Sequence, residues 1–322
     1  MSLKEKYITI KSIEDLVRCI SLASLLEVSG HPKPGNVHRT RNFKETRYEH
    51  FLAGIAAIAP SFKELCERAH NELSNDDTDY SFVKLGHFFK KAAEEMMSWQ
   101  KGGNVLLGHI LILAPLAAAA AICIKKQESS FSDFSTTLIK IISDATVEDT
   151  INLYDAIRTS NPGGLGKIDK YDLNDDNSFK EIRADNVTLK QIFNISAEYD
   201  LIGLEYTTGY KIILTEGLPY FFLIFKQTND INIATVNTFL KILSGHPDTL
   251  IIRKSGLDKA IMVSERATEV VEHGGISKKK GLKLAQKLDK LLQKKDGLLN
   301  PGTTADITAG IILCALLFGL II

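Results

Sequence analysis

The sequence predicts an all-α fold, a multi-helix bundle whose Gly/Pro-rich loops form the site. Three observations lead there: apolar residues recur at helical spacing along most of the chain, plausible N-caps precede those runs, and strand-like stretches are few. Leu16, Val17, Ile20, Ala23 and Leu25 mark a first helix, opened by Ser12 with Asp15 three residues later and ending at Glu27. Phe51, Ile55 and Ile58 mark a second. Val105–Ile124 is long enough for a membrane span, which takes about 20 residues. It also contains His109, Pro115 and the alanines Ala117–Ala121, and alanine suits close helix packing better than lipid contact. A buried central helix is therefore expected there. Asp133 is expected to open a helix at Phe134, and Ile151, Tyr154 and Ile157 mark the next. Asp230 is placed to cap a helix from Ile231, and Leu284, Leu288, Leu291 and Leu292 form one stripe of a late, lysine-rich helix. Tyr210–Leu214, Tyr220–Phe225 and Leu250–Ile252 are strand-like, but none alternates cleanly. Ala309–Ile322, at 14 residues, is too short to span a bilayer.

The 322 residues, 44% of them hydrophobic, can bury a substantial core. No repeat and no compositional break divides them, so a single domain over 1–322 is expected. The 39 basic and 39 acidic residues cancel, which disfavours a nucleic-acid role, since such proteins usually carry a basic excess. Eight lysines in Ser277–Lys295 read as the solvated face of a packed helix rather than as a membrane or nucleic-acid patch. Cys19, Cys66, Cys123 and Cys314 are too scattered for a zinc cluster or a disulfide framework. The charged opening segment lacks an apolar signal core. A cytoplasmic protein without a membrane anchor is expected; the sequence sets no oligomeric state.

Candidate chemistry lies in the loops. In HPKPGNVHR (31–39), Pro32 and Pro34 stiffen the chain, Gly35 frees it, and Lys33, His38 and Arg39 supply cations. Exposed amides at Gly35 and Asn36 would suit a phosphate chain, with Glu27 one turn earlier; a rigid helix-ending loop is the plainer reading. In LLNPGTTAD (298–306), Thr303 or Thr304 can cap the last helix, with Asp306 in its first turn; alternatively Asn300, Gly302 and Asp306 face a metal–phosphate. Asp149 and Asn152 share a helix face, a spacing that suits magnesium but also an ordinary solvated face. Arg158, Gly163 and Gly164 follow. His31, His38, His109 and His246 adjoin Gly-rich loops and read as hydrogen-bonded core groups.

Together these loops resemble the triphosphoribosyl-dephospho-CoA synthase family, through EVSGHPKPGNVHR (27–39), KGGN (101–104), TEGLPYF (215–221), HPDTLIIRKSG (246–256) and LNPGTTADITAG (299–310). The resemblance implies a largely helical transferase that binds ATP and 3′-dephospho-CoA. Such an enzyme moves triphosphoribose to the 2′-hydroxyl, releases adenine and makes a prosthetic-group precursor for an acyl-carrier protein. It carries over Lys33, Gly35, Arg39, Asn104, Asp248, Arg253, Asn300 and Asp306. For such a reaction Lys33, Arg39 and Arg253 are expected to grip phosphates, with magnesium bridging them to carboxylates drawn from Asp149, Asp248 and Asp306. Asp248, or else Glu27, takes the hydroxyl proton. This chain has Val105-Leu106-Leu107-Gly108 where relatives carry Thr-His-Lys-Gly, and DAIRTSNPGGLG (155–166) where they carry His-Gly-Glu, the pattern of a divergent branch. A nucleotide- or CoA-binding protein without transfer activity, or an N-glycoside-cleaving enzyme with another acceptor, are the alternatives.

Overall fold

A computed structural model of the chain describes residues 5–74, 78–163, 166 and 170–322. Among those residues there is no strand, only isolated bridges at Tyr7–Ser130 and His38–Arg41. The first half contains α1 (Ile13–Ser29), α2 (Tyr48–Asn71), α3 (Leu85–Ser98), α4 (Leu107–Lys126), α5 (Phe131–Asp144) and α6 (Val147–Ser160). Three short helices follow, α7 (Ser178–Ala184), α8 (Leu189–Ser196) and α9 (Leu201–Thr208). The rest comprises α10 (Leu218–Thr228), α11 (Ile231–Gly245), α12 (Thr249–Ser255), α13 (Leu257–Glu272), α14 (Lys279–Gln293) and α15 (Gly302–Leu317). The strand-like stretches are helical: Ile212–Gly217 is a π-turn, and the other two lie in α10 and α12. Their unbroken apolar runs reflect burial, not a pleated surface.

The caps explain most helix starts. Ser12 Oγ accepts from the Asp15 amide as its spacing predicts, and Asp230 accepts from the Ile233 amide. α5 begins three residues before the expected start, because Ser130 is its N-cap and Asp133 the reciprocal partner in a capping box. α15 likewise starts at Gly302, ahead of both threonines expected to cap it, which moves Asp306 into the second turn.

α4 and α15 pack against each other and against α1, and both are apolar on every face. Among the described residues α4 is the one helix long and apolar enough to cross a membrane, yet 89% of its apolar stretch is buried inside the protein. Pro115 lies inside it. A proline lacks the N–H that would bond the carbonyl four residues back, here that of Leu111. The Tyr206 hydroxyl donates to that carbonyl at 2.7 Å from α9, so the interruption is satisfied by tertiary structure. A second apolar cluster is built from α11 to α15, with Phe239, Leu243, Val263 and Leu288 at its centre. α11 and α15 contribute to both clusters. The lysines of α14 are exposed, as expected of a solvated face. Cys66, Cys123 and Cys314 are buried free thiols, whereas Cys19 is only half-buried.

Candidate active site

A cavity of about 830 Å³ opens between α1, α4, α6, α8, α9, α12 and α15, and is large for a small-molecule site. Its lining includes apolar and aromatic residues, Leu153, Tyr154, Ile157, Ile192, Phe193 and Tyr199. It also includes polar and charged ones, Asn36, Asn104, Asn300, Arg253, Lys254 and Asp200. At its floor Glu27, His109 and Asp306 converge.

Glu27 sits in the last turn of α1 and is only 1% exposed. Lys33, reached after the turn at Gly30, is fully buried beneath it, and its ammonium donates to both the Glu27 carboxylate and, at 2.9 Å, the Glu27 carbonyl. His109, in the first turn of α4, places Nε2 3.4 Å from Glu27 Oε2 and 3.8 Å from Asp306 Oδ1. Its Nδ1 is buried without a partner. Asp306 reaches in from α15 against Gly108, where any Cβ would overlap the carboxylate. Gly108 is therefore the close approach that lets α4 and α15 bring these groups together.

The electrostatics divide the two carboxyl groups. Burial alone would raise the Glu27 pKa, but Lys33 and His109 outweigh it and hold the group below the ordinary carboxylate range. Asp306 is pushed well above that range by burial, reinforced by the nearby charges of Glu27, Asp248 and Asp200. The pKa values of two carboxyl groups around one imidazole are thus displaced in opposite directions, the arrangement from which acid and base roles are read.

Other expected site residues are placed differently. Lys33 cannot grip a substrate phosphate, because it is enclosed and committed to Glu27. Gly35 has φ +77° and donates to Asp289, and a side chain there would strike Leu292, so it shapes the loop without lining the cavity. Asn36 does line it and donates to Asn300 Oδ1 at 2.9 Å. Arg39 is exposed and reaches Asn232 outside the cavity. Arg158 donates to the carbonyls of Leu173 and Asp175 and stacks on Phe179, so its work is to fix the segment after α6. Asn104 lines the cavity while accepting from the Leu107 amide at the start of α4. Gly163 and Gly302 border the cavity; Gly164 lies outside the described residues. Arg253 lines it and pairs with Asp200 at 3.0 Å.

Two of the three carboxylates expected to hold magnesium are engaged elsewhere. Asp149 closes a capping box with Thr146 at the start of α6, accepts from the Gly86 amide at 2.8 Å, and does not line the cavity. Asp248 is fully buried, caps α12 through the Leu250 and Ile251 amides, and accepts from both the amide and the hydroxyl of Thr304. With its lone pairs so used, it serves neither as metal ligand nor as base. Among the described residues no group of three His, Cys, Asp or Glu side chains is disposed to hold a metal ion. The expected magnesium triad therefore does not fit, and Asp306 is not assigned to a metal. Replacing Asp248 with asparagine is expected to lower stability by about 1–3 kcal/mol, through an amide turned against N–H donors. Substrate turnover per folded molecule should stay within about threefold of wild type, since the group touches no substrate. Urea unfolding beside steady-state kinetics checks both.

Sequence reasoning missed His109 as a site residue, together with Lys254, Asp200 and the aromatic lining. A histidine in the first turn of an otherwise apolar helix was the available signal for His109.

A domain that is helical among the described residues, with a cavity of about 830 Å³ and two carboxyl groups of oppositely displaced pKa around one imidazole, defines a protein equipped for acid–base group transfer. The chain belongs to the CitG family, ATP:dephospho-CoA triphosphoribosyl transferase, whose model matches residues 13–320. It is 22% identical over 304 residues to the 2-(5''-triphosphoribosyl)-3'-dephosphocoenzyme-A synthase of Klebsiella pneumoniae, covering 92% of this chain and 89% of the relative. A synthase of the same name from Escherichia fergusonii is 30% identical over 113 residues, a match spanning 34% of this chain and 37% of that relative. Among solved structures, a provisionally named triphosphoribosyl-dephospho-CoA synthase from Archaeoglobus fulgidus superposes with a TM-score of 0.62 at 25% identity, covering 83% of this chain and 99% of the other.

Proposed function

We propose that this protein transfers triphosphoribose from ATP to 3′-dephospho-CoA with release of adenine, the product being a prosthetic-group precursor for an acyl-carrier protein. The observation that carries the reading is the pair Glu27 and Asp306, both beside His109 Nε2 and displaced in pKa in opposite directions, in a cavity that also holds cations and aromatic groups. Cleaving the bond between C1′ and the purine develops oxocarbenium character at C1′. An ionised Glu27 stabilises that charge and takes the proton of the incoming hydroxyl. A protonated Asp306 gives its proton to the departing purine. Arg253 and Lys254 are the cavity-lining cations available to the triphosphate, and burial beside Arg253 lowers the pKa of Lys254. The aromatic lining offers faces for the purine, and Asn36, Asn104 and Asn300 offer hydrogen bonds to sugar hydroxyls. Magnesium, where ATP brings it, is part of the substrate.

The test is a mass-resolved assay of purified protein with ATP, magnesium and 3′-dephospho-CoA. Adenine in equal amount with a dephospho-CoA adduct heavier by one triphosphoribose is the expected result. Adenine with free triphosphoribose would identify water as acceptor, and ATP bound without adenine release would identify a binding protein.

A further inference from the structure

The transfer needs a proton to cross the site. As the new bond from C1′ to oxygen forms, the acceptor hydroxyl loses a proton. As the bond from C1′ to the purine breaks, its electron pair leaves with the ring nitrogen, which takes up one proton. An internal route from the acceptor side to the purine side lets one proton serve both steps without exchange with solvent. Glu27 and Asp306 both lie beside one atom of His109, Nε2, at 3.4 and 3.8 Å.

We propose that His109 is the relay of the site, carrying a proton from Glu27 to Asp306 during each turnover. This rests on the transfer reading above. At rest Nδ1 carries the ring proton and Nε2 faces both carboxyl groups with its lone pair. Nδ1, buried without a partner, keeps its proton because nothing beside it can accept one. Asp306 protonates the departing purine and becomes the carboxylate. Glu27, having accepted the hydroxyl proton, passes it to Nε2, and the imidazolium so formed hands it on to Asp306, so that all three groups return to their starting state. Separations of 3.4 and 3.8 Å put Nε2 within a small side-chain adjustment of hydrogen-bond distance to either group. His109 is 2% exposed, so its ring is shielded from bulk solvent. Gly108 beside it allows Asp306 to approach. His109 acts through the two carboxyl groups and is accordingly a positioning and relay residue.

The experiment compares wild type with His109→Gln, His109→Asn and His109→Ala in the adenine-release assay, with ATP affinity and thermal unfolding measured alongside. Glutamine and asparagine can hydrogen-bond but cannot accept and release a proton as imidazole does. The expected result is a fall in kcat of about 10²-fold or more at an unchanged ATP Kd. His109→Ala should regain about tenfold of its rate on adding imidazole, and substituted imidazoles should rank by basicity, a dependence that a structural role would not produce. A folded His109→Gln or His109→Asn within about threefold of wild-type kcat overturns the relay, as does a folded His109→Ala that no imidazole rescues. No adenine from wild type overturns the transfer reading, and the relay with it.

Discussion

Lys33→Met will destabilise the protein by about 3–5 kcal/mol, the penalty for leaving one member of a buried ion pair without its partner. The side chains are similar in length, so little packing is lost and the loss is electrostatic. Lys33 is fully buried and its ammonium holds Glu27, itself 1% exposed, through both carboxylate and carbonyl. Without it, only His109 remains to stabilise the Glu27 charge, and burial then raises the Glu27 pKa. A domain of ordinary stability, about 5–15 kcal/mol, would lose a large share of it. Urea unfolding at neutral pH measures the loss. The double variant Lys33→Met with Glu27→Gln should recover much of the stability, because removing both charges removes the unpaired one. It should not recover activity, because the base is gone. A single variant costing less than about 1 kcal/mol would show that the pair does not hold Glu27 ionised.

Asp306→Asn is expected to abolish adenine release, by about 10²–10⁴-fold, while making the protein more stable. Asparagine keeps the shape against Gly108 but has no proton to give to the purine. The stability sign follows from the shifted group. In the folded protein Asp306 holds its proton well above the ordinary value of 3.8. Its contribution is fully present below that ordinary value and declines as pH rises toward the raised folded value, because the unfolded chain ionises first. The neutral asparagine does not share that decline. The advantage of the variant over wild type should therefore be small near pH 4 and grow with pH, reaching on the order of 1–2 kcal/mol. Thermal unfolding across pH 4–8 tests the trend. A variant that matches wild type across that window would mean that Asp306 does not hold its proton above the ordinary carboxylate range.

These opposing effects reflect one arrangement. The site holds a buried ammonium, an imidazole and two carboxyl groups within a few ångströms, and such a set is satisfied only as a whole. Other polar groups near the fold's centre are purely structural in the same terms. Glu205, buried in α9, accepts from the Ile212 and Ile213 amides at the start of the π-turn, and burial pushes its pKa up to about 7. Asp289, on the buried face of α14, accepts from the Gly35 amide and so fixes the loop that carries Lys33.

Much of the fold was legible in local pattern. Helical spacing identified the core elements, and Ser12 and Asp230 announced their helices, because a cap is made within one turn of chain. The alanine run of α4 marked a packed central helix. The motifs at 27–39 and 299–310 pointed to the segments that supply Glu27, Asn36, Asn300 and Asp306 to the cavity, and the family match bears out the resemblance they carry. Local pattern also held a clue about Asp149 that magnesium spacing obscured: Thr146, three residues earlier, makes a capping box with it.

What the sequence by itself determined is therefore the helical architecture, the family and the loops that approach the site. What only the tertiary structure decided is which charged groups face the cavity. Asp248 and Asp306 lie in motifs of the same character, yet one is enclosed by four hydrogen-bond donors and the other projects against Gly108 toward His109. Lys33 lies among loop cations but ends fully buried beneath Glu27. The physical reason is that a carboxylate's role depends on the donors and charges around it. Those donors come from Gly86, Thr304 and His109, each on a different helix and tens of residues away from the group it meets.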